Sequence, residues 1–197
     1  VDILSITNEM GIPDTFSALV MQELDNVPDE VLDKDLIDRV DLRKEIIFTI
    51  DGDDTKDIDD AISIEKVQDH YKLGVHIADV SYYVRPNTAL DSEAFERGTS
   101  VYLADRVIPM LPHKLSNGIC SLNPNVDRLA ISCIMEIDKN GNVIDYNILK
   151  TVIKSQMQMT YKKVNQILEE NNVEIESIRE EFREMCLIKA KAAAYIM

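Results

Sequence analysis

A mixed α/β domain with a β-rich core and peripheral helices is the fold class this sequence predicts. Three observations carry that expectation. The run "EIIFTI" (45–50) is β-branched and aromatic, and "AISIEKV" (61–67) alternates apolar with polar residues as a half-buried strand does. Helical spacing appears on either side of this region, at 13–29 and again from Tyr161. The chain has 197 residues, 45% of them hydrophobic and 29% charged, which suits one large domain or one domain with an appendage.

Residues 1–42 read as a helical, peripheral lead-in. In "GIPDTFSALVMQELDNV", Pro13 and Asp14 are a start signal, and Phe16, Leu19, Val20 and Leu24 follow at helical spacing. Pro28 and Asp29 open a shorter acidic helix or turn whose charges read as a solvated face. The strand 45–50 comes next, then 61–67 and "KLGVHIADV" (72–80), paired as a hairpin across "QDHY". "ALDSEAFERG" is a short helix with Asp91 as cap and Gly98 at its end. The piece "TSVYLADRVIPML" is extended, and Pro112 and Gly118 bracket another short helix. "LAISCIMEID" (129–138) and residues 143–159 form a hairpin across "KNGN". A final helix places Ile175, Ile178, Phe182, Met185 and Leu187 or Ile188 near one face.

Composition excludes several classes. No run approaches the roughly 18 apolar residues of a membrane span, and no signal-peptide pattern opens the chain. It begins "VDILS", without Met, and reads as an excised piece. Cys120, Cys133 and Cys186 are odd in number and widely spaced, which argues for buried inert thiols in a reducing cytosol rather than disulfides or zinc. Net charge is −15, with 36 acidic against 21 basic side chains. The acidity is concentrated before residue 61, and the rest is nearly balanced. A basic surplus of the kind that marks nucleic-acid binders is absent from this sequence.

The acidity peaks in "TIDGDDTKDIDDAI" (49–62), six aspartates within ten positions between two strand-forming runs. Such crowding costs free energy unless a cation sits among the carboxylates. Carboxylate oxygens are hard ligands suited to Mg²⁺ or Mn²⁺. In extended chain Asp57 and Asp59 share one side and Asp60 takes the other, while Asp51 reaches them from the strand end. Gly52 is expected to permit a sharp bend there. A two-metal clamp on a phosphodiester and a purely solvated acidic turn both fit the residue chemistry. An EF-hand does not, because Lys56 stands where its glycine belongs and Ile62 where its bidentate glutamate does.

Longer motifs add to this. "TIDGDDTKDIDDAISI", preceded by "RVDLR" (39–43), resembles the signature of the RNB catalytic domain of the ribonuclease II and ribonuclease R exoribonucleases. "GVHIADVSYYV" (74–84), "GTSVYLADRVIPMLPHKLSNGICSLNPNVDRLAISC" (98–133) and "MTYKKVN" (159–165) continue it in order, with wording closer to bacterial ribonuclease R. The resemblance implies a 3′-to-5′ hydrolytic exoribonuclease that uses Mg²⁺ (alternatively Mn²⁺) and releases nucleoside 5′-monophosphates. It also implies that residues 43–197 are an RNB domain truncated on its C-terminal side, short of a catalytic arginine. The parent would be a cytoplasmic protein, monomeric, with OB-type domains before this region and an S1 domain after it. No membrane and no small-molecule cofactor is expected.

By that resemblance Asp51, Asp57, Asp59 and Asp60 are catalytic and metal-binding, Tyr102 stacks on the terminal nucleotide, and Tyr161 lies near the reacting ribose. Asp53 and Asp54 receive no role. Stacking suits a sequence-tolerant nuclease, because every base offers a π face. Core packing is the alternative for each tyrosine. Among Arg85, Arg106, His113, Lys114 and Arg128, the better phosphate contacts are Arg106 and Lys114, with surface ion pairing as the alternative. His76 reads as a satisfied core histidine, and Asp79 as a supporting group near the site. A noncatalytic RNA-binding module with the same fold is the competing function.

Overall fold

Ser17, in extended conformation, caps the helix α1 (Ala18–Leu24), its hydroxyl accepting the Val20 N–H at 3.3 Å. The helix therefore starts at Ser17 rather than at Pro13–Asp14, because the serine supplies the oxygen that its first free N–H groups require. Val20 and Leu24, one turn apart, are buried, whereas Leu19 faces outward. These coordinates are a computed structural model that describes residues 7, 9–104 and 106–168. The expected last helix with Ile175, Ile178, Phe182, Met185 and Leu187 or Ile188 lies outside them, as does Cys186.

The acidic lead-in is more than a solvated face. A 3₁₀ turn, Asp33–Leu36, buries Asp35, whose carboxylate accepts the Leu32 N–H at 2.9 Å and the Tyr82 hydroxyl at 2.6 Å. Arg39 follows and forms a buried ion pair with Asp79 at 2.5 Å, while also donating to the carbonyl of Thr151 at 3.2 Å. Breaking a pair of that kind leaves an uncompensated charge inside, so it fixes the lead-in on the domain. Val40–Asp41 is a strand, β1, running parallel to residues 151–152. The sheet thus begins inside the segment expected to be helical, because Arg39 holds this stretch against the sheet.

The expected hairpin forms. Strand β2 (Ile47–Asp51) lies antiparallel to β3 (Asp60–Val67), which pairs with β4 (His70–Ala78) across a turn in which Gln68 has φ 51°. A short helical turn α2 (Val80–Tyr83) and the helix α3 (Ala89–Arg97) follow. Thr88, not Asp91, caps α3, and Asp91 instead accepts the Asn87 N–H. Gly98 ends it at φ 69°, where L side chains are disfavoured. Strands β5 (Val101–Tyr102) and β6 (Val107–Ile108) form a separate two-stranded ribbon. The helical turn Lys114–Ile119 runs one residue past Gly118.

Strands β7 (Asp127–Ile137) and β8 (Val143–Lys154) form the long hairpin. The expected strand 143–159 breaks at Ser155–Gln156, and β9 (Met157–Thr160) crosses to the far edge, parallel to β2. Two backbone bonds force this crossing: Gln156 donates to Ile47 and Asn125 donates to Ser155. The helix α4 (Tyr161–Leu168) continues from β9. The seven-stranded order among the described residues is β1-β8-β7-β4-β3-β2-β9. One face buries Ile47, Ile58, Ala61, Ala78, Leu122, Ala130 and Ile153, and the other buries Phe48, Ile64 and Met159.

A buried polar line crosses this sheet. Ser63 on β3 meets His76 at 3.0 Å, His76 meets Ser132 on β7 at 2.7 Å, and Ser132 meets Thr151 on β8 at 2.7 Å. His76 is fully buried and satisfied, as its apolar surroundings suggested. Gly74 leaves room for the line, since a Cβ there would stand 2.3 Å from Ser63 Oγ and 2.8 Å from His76 Nε2. Cys120 is buried and free, and burial pushes its thiol up to about 12. Gly74→Ala should therefore destabilise the protein by about 1–3 kcal/mol, the usual cost of overpacking. Denaturant unfolding checks this, and a change within experimental error would show that the Ser63–His76 pair yields easily.

Candidate functional site

Asp51 is the last residue of β2 and pairs with Thr160, the last of β9. The chain then turns through Gly52–Thr55, closed by the Thr55 N–H on the Gly52 carbonyl at 3.3 Å. The bend expected at Gly52 forms, without a left-handed backbone there. Gln158 on β9 donates to the Thr55 carbonyl at 3.1 Å and holds the turn down.

Beyond the turn, Ile58 is the anchor. Its side chain is fully buried in the cluster beneath the sheet. Its N–H donates to the Ser121 hydroxyl at 3.1 Å, and its carbonyl accepts the Leu122 N–H at 2.9 Å. The Ser121 hydroxyl in turn donates to the Lys56 carbonyl at 2.7 Å. The Asp59 carbonyl accepts the Ala78 N–H at 2.9 Å, and Asp60 opens β3 opposite Ile77. Asp57 and Asp59 therefore project on either side of a residue pinned into the core.

The carboxylates feel each other. Burial raises the Asp51 pKa above the usual carboxylate range, and Asp60, Asp57 and Asp59 push it the same way. Burial also raises Asp59, with Asp57 and Asp60 adding repulsion. Asp51 Oδ2 is buried without a hydrogen-bond partner. Asp57 Oδ2 accepts the Tyr102 hydroxyl at 3.0 Å, and that bond raises the tyrosine's own pKa. Among the described residues, however, no group of three or more His, Cys, Asp or Glu is arranged to hold a metal ion. The four carboxylates are within electrostatic reach but are not gathered into a cage.

An open cleft of about 890 Å³ lies between the Gly52–Asp57 segment and the β5–β6 ribbon. Tyr102, Arg106, His113 and Ser116 line its other side. The Tyr102 ring is largely exposed, so core packing does not describe it. Tyr161 is exposed too, at the start of α4, one residue after the partner of Asp51.

Other basic residues have different work. Lys114 does not line this cleft: its Nζ donates to the Leu24 carbonyl at 3.2 Å and lies 3.6 Å from Asp29. Arg128 is buried and donates to the carbonyls of Ser121 at 2.7 Å and Gly118 at 3.1 Å. Arg85 lies over the Tyr82 ring at 4.9 Å. Asp79 is bound to Arg39 and to the Ser81 hydroxyl. Sequence reasoning missed Ser121 and Gln158. Neither carries a signal, since a serine or glutamine that holds a loop looks like any other.

A family model described as RNB domain matches residues 39–194. Ribonuclease R 1 of Lactococcus lactis is 50% identical over 178 residues, covering 90% of this chain and 22% of its own length. Ribonuclease R of Thermotoga maritima is 54% identical over 166 residues, covering 84% of this chain and 23% of its own. The chain thus spans about a quarter of the length of these relatives. Among solved structures, Mycoplasma genitalium RNase R in complex with ribose-methylated single-stranded RNA matches at TM-score 0.84 and 30% identity, over 98% of this chain and 29% of that one. Yeast Ssd1, described as a pseudonuclease, matches at TM-score 0.64 and 17% identity over 80% of this chain and 20% of its own, which shows the fold alone.

The raised carboxylate of Asp51 has a consequence for stability. A carboxyl whose folded pKa exceeds its unfolded value favours folding below the unfolded pKa, and that contribution is lost as pH rises through the folded pKa. Above that window the buried charge is a cost. Asp51→Asn should therefore raise the unfolding midpoint in metal-free buffer at pH 7, and the gain should shrink below about pH 4. Midpoints measured at both pH values check the sign, and an Asn variant less stable at pH 7 would contradict it.

Proposed function

Because the chain belongs to the RNB domain family, we propose that it forms part of the catalytic domain of a hydrolytic 3′-to-5′ exoribonuclease, which degrades RNA to nucleoside 5′-monophosphates. One observation carries the reading. An acidic loop pinned into the core brings Asp57, Asp59 and Asp60 within electrostatic reach of Asp51, and Asp57 lines a cleft that Tyr102, Arg106 and His113 also line.

The donor set suits a hard divalent cation. It consists of carboxylate oxygens, and one of them, Asp51 Oδ2, is buried with no partner of its own. Mg²⁺ is commonly held by one or two carboxylates together with waters and substrate phosphate, so a complete protein cage is not required. Bound by Asp51, Asp57, Asp59 and Asp60, Mg²⁺ would supply charge stabilisation for attacking and departing oxygens in phosphodiester hydrolysis. Burial and, after it, repulsion among the carboxylates raise Asp51 and Asp59, and a bound cation would relieve the repulsive part.

The remaining roles fall to this chain's own side chains. The exposed Tyr102 ring gives a base a stacking surface worth about 1–3 kcal/mol that does not depend on sequence. Its hydroxyl, donated to Asp57, orients the ring beside the acidic loop. Tyr161, exposed at the start of α4, is the residue we propose to sense the ribose 2′-hydroxyl, which an RNA-selective enzyme requires. Arg106 and His113 offer phosphate contacts across the cleft. RNA is the partner this arrangement fits, in agreement with the RNA-bound relative of 30% identity. The whole protein is proposed to be cytoplasmic and monomeric, with OB-type and S1 domains flanking this region.

In the full-length parent, Asp59→Asn should abolish Mg²⁺-dependent hydrolysis while RNA affinity changes little, because the acidic loop serves chemistry more than attraction. Digestion of 3′-labelled and 5′-labelled RNA, with and without Mg²⁺, tests direction and metal dependence together. The isolated 197-residue chain should shorten RNA far more slowly than the parent. Equal rates would show that the elements it contains suffice.

A further inference from the structure

We infer that Ser121 is a positioning residue for Asp57 and Asp59, an inference that rests on the nuclease reading of the acidic loop. Two hydrogen bonds of its hydroxyl fall on either side of Asp57, and a longer contact at 3.4 Å reaches Asn123 Oδ1. The hydroxyl accepts from the Ile58 N–H at 3.1 Å and donates to the Lys56 carbonyl at 2.7 Å. The residue between those two points is Asp57, and the residue after them is Asp59. A single buried oxygen therefore sets the backbone direction at the stretch where two carboxylates leave the chain.

The serine is itself held. Buried Arg128 donates to the Ser121 carbonyl at 2.7 Å and to the Gly118 carbonyl at 3.1 Å. The Ser121 N–H donates to Gly118 as well, at 3.1 Å. The brace thus runs from β7 through Ser121 to the loop, over a sequence separation of 63 residues. Neither Ser121 nor Arg128 lines the cleft, and Ser121 is fully buried, so an effect of the hydroxyl on catalysis passes through the loop it holds.

Removing the hydroxyl does not free the loop altogether. The Leu122 N–H still holds the Ile58 carbonyl at 2.9 Å, and the Ile58 side chain stays in the core. What is lost is direction. The Lys56 carbonyl and Ile58 N–H must find other partners, and the peptide planes around Asp57 rotate to do so. A misplacement of about 1 Å in a reacting group can cost about 10²-fold in rate. Substrate affinity, carried by the stacking tyrosines and basic groups, is left alone.

The test uses the full-length parent with Ser121→Ala, Ser121→Cys and Asp59→Asn, assayed on single-stranded RNA with Mg²⁺. The folded fraction of each is measured by circular dichroism. The expected result for Ser121→Ala is a kcat about 10–100-fold lower per folded molecule, with KM within about threefold of the parent. Should the alanine variant fail to fold, Ser121→Cys fills nearly the same volume with a weak hydrogen-bonding group, and its kcat should also fall. A folded Ser121→Ala or Ser121→Cys with parental kcat overturns the inference, as does a variant whose loss lies entirely in KM. An active Asp59→Asn would instead remove the nuclease reading itself, which keeps the two failures apart.

Discussion

Everything at the acidic loop depends on one buried apolar side chain among charged ones. Ile58 sits in a sequence of aspartates and is fully inside the cluster formed with Ile47, Ala61, Leu122 and Ile153. Full burial of such a side chain stabilises by about 1.5–3 kcal/mol, enough to hold a loop that repulsion would otherwise open. Because Asp57 and Asp59 flank it, the same contact that stabilises the loop fixes where both carboxylates emerge. A purely solvated turn would not need that anchor, although Asp59 and Asp60 themselves are exposed.

The surroundings of the loop show where the opposing cost is met. Burial, with repulsion from neighbouring carboxylates added to it, raises the pKa of Asp51 and of Asp59, so the charged forms of both are disfavoured here. Elsewhere the domain is tied more firmly than its acidity suggests. Arg39 and Asp79 form a buried pair, Arg43 bridges Asp41 and Asp127, and the Ser63–His76–Ser132–Thr151 line stitches four strands. Asp127 shows the contrast with Asp51. Burial raises its pKa, yet bonds from Arg43 and Lys154 bring it below the usual range. Asp79 and Asp127, which support the sheet, are paired with cations, whereas Asp51 Oδ2 is buried without a partner.

Much of this was legible in the sequence, for reasons that differ by element. The β3–β4 hairpin follows from alternation, and its register sets Asp60 opposite Ile77. The aspartate loop was visible because its acidity is so local. Boundaries set by tertiary bonds were not visible: β8 ends at Lys154 without proline or glycine, and β9 exists because Gln156 bonds to Ile47 across the sheet. Lys114 looked like a phosphate contact by position, yet the end of α1 claims it. Val40–Asp41 looked like part of an acidic lead-in, because two residues are too few to show a period. Ser121 was invisible, since its importance lies in a partner far along the chain.

The match to yeast Ssd1 at 17% identity shows that this sheet can be kept by a protein described as a pseudonuclease. A fold therefore cannot by itself argue for activity. What separates the possibilities is whether a chain keeps the unfavourable part, the cluster of carboxylates that nothing in the sheet requires. Asp51 ends a strand whose pairing with β9 is made by backbone groups, so a neutral side chain there would serve the fold as well. The same holds for Asp60, whose pairing to Ile77 is also backbone. Charges that the architecture does not need, with one oxygen left buried and unpartnered, support the proposed metal site over a purely structural role.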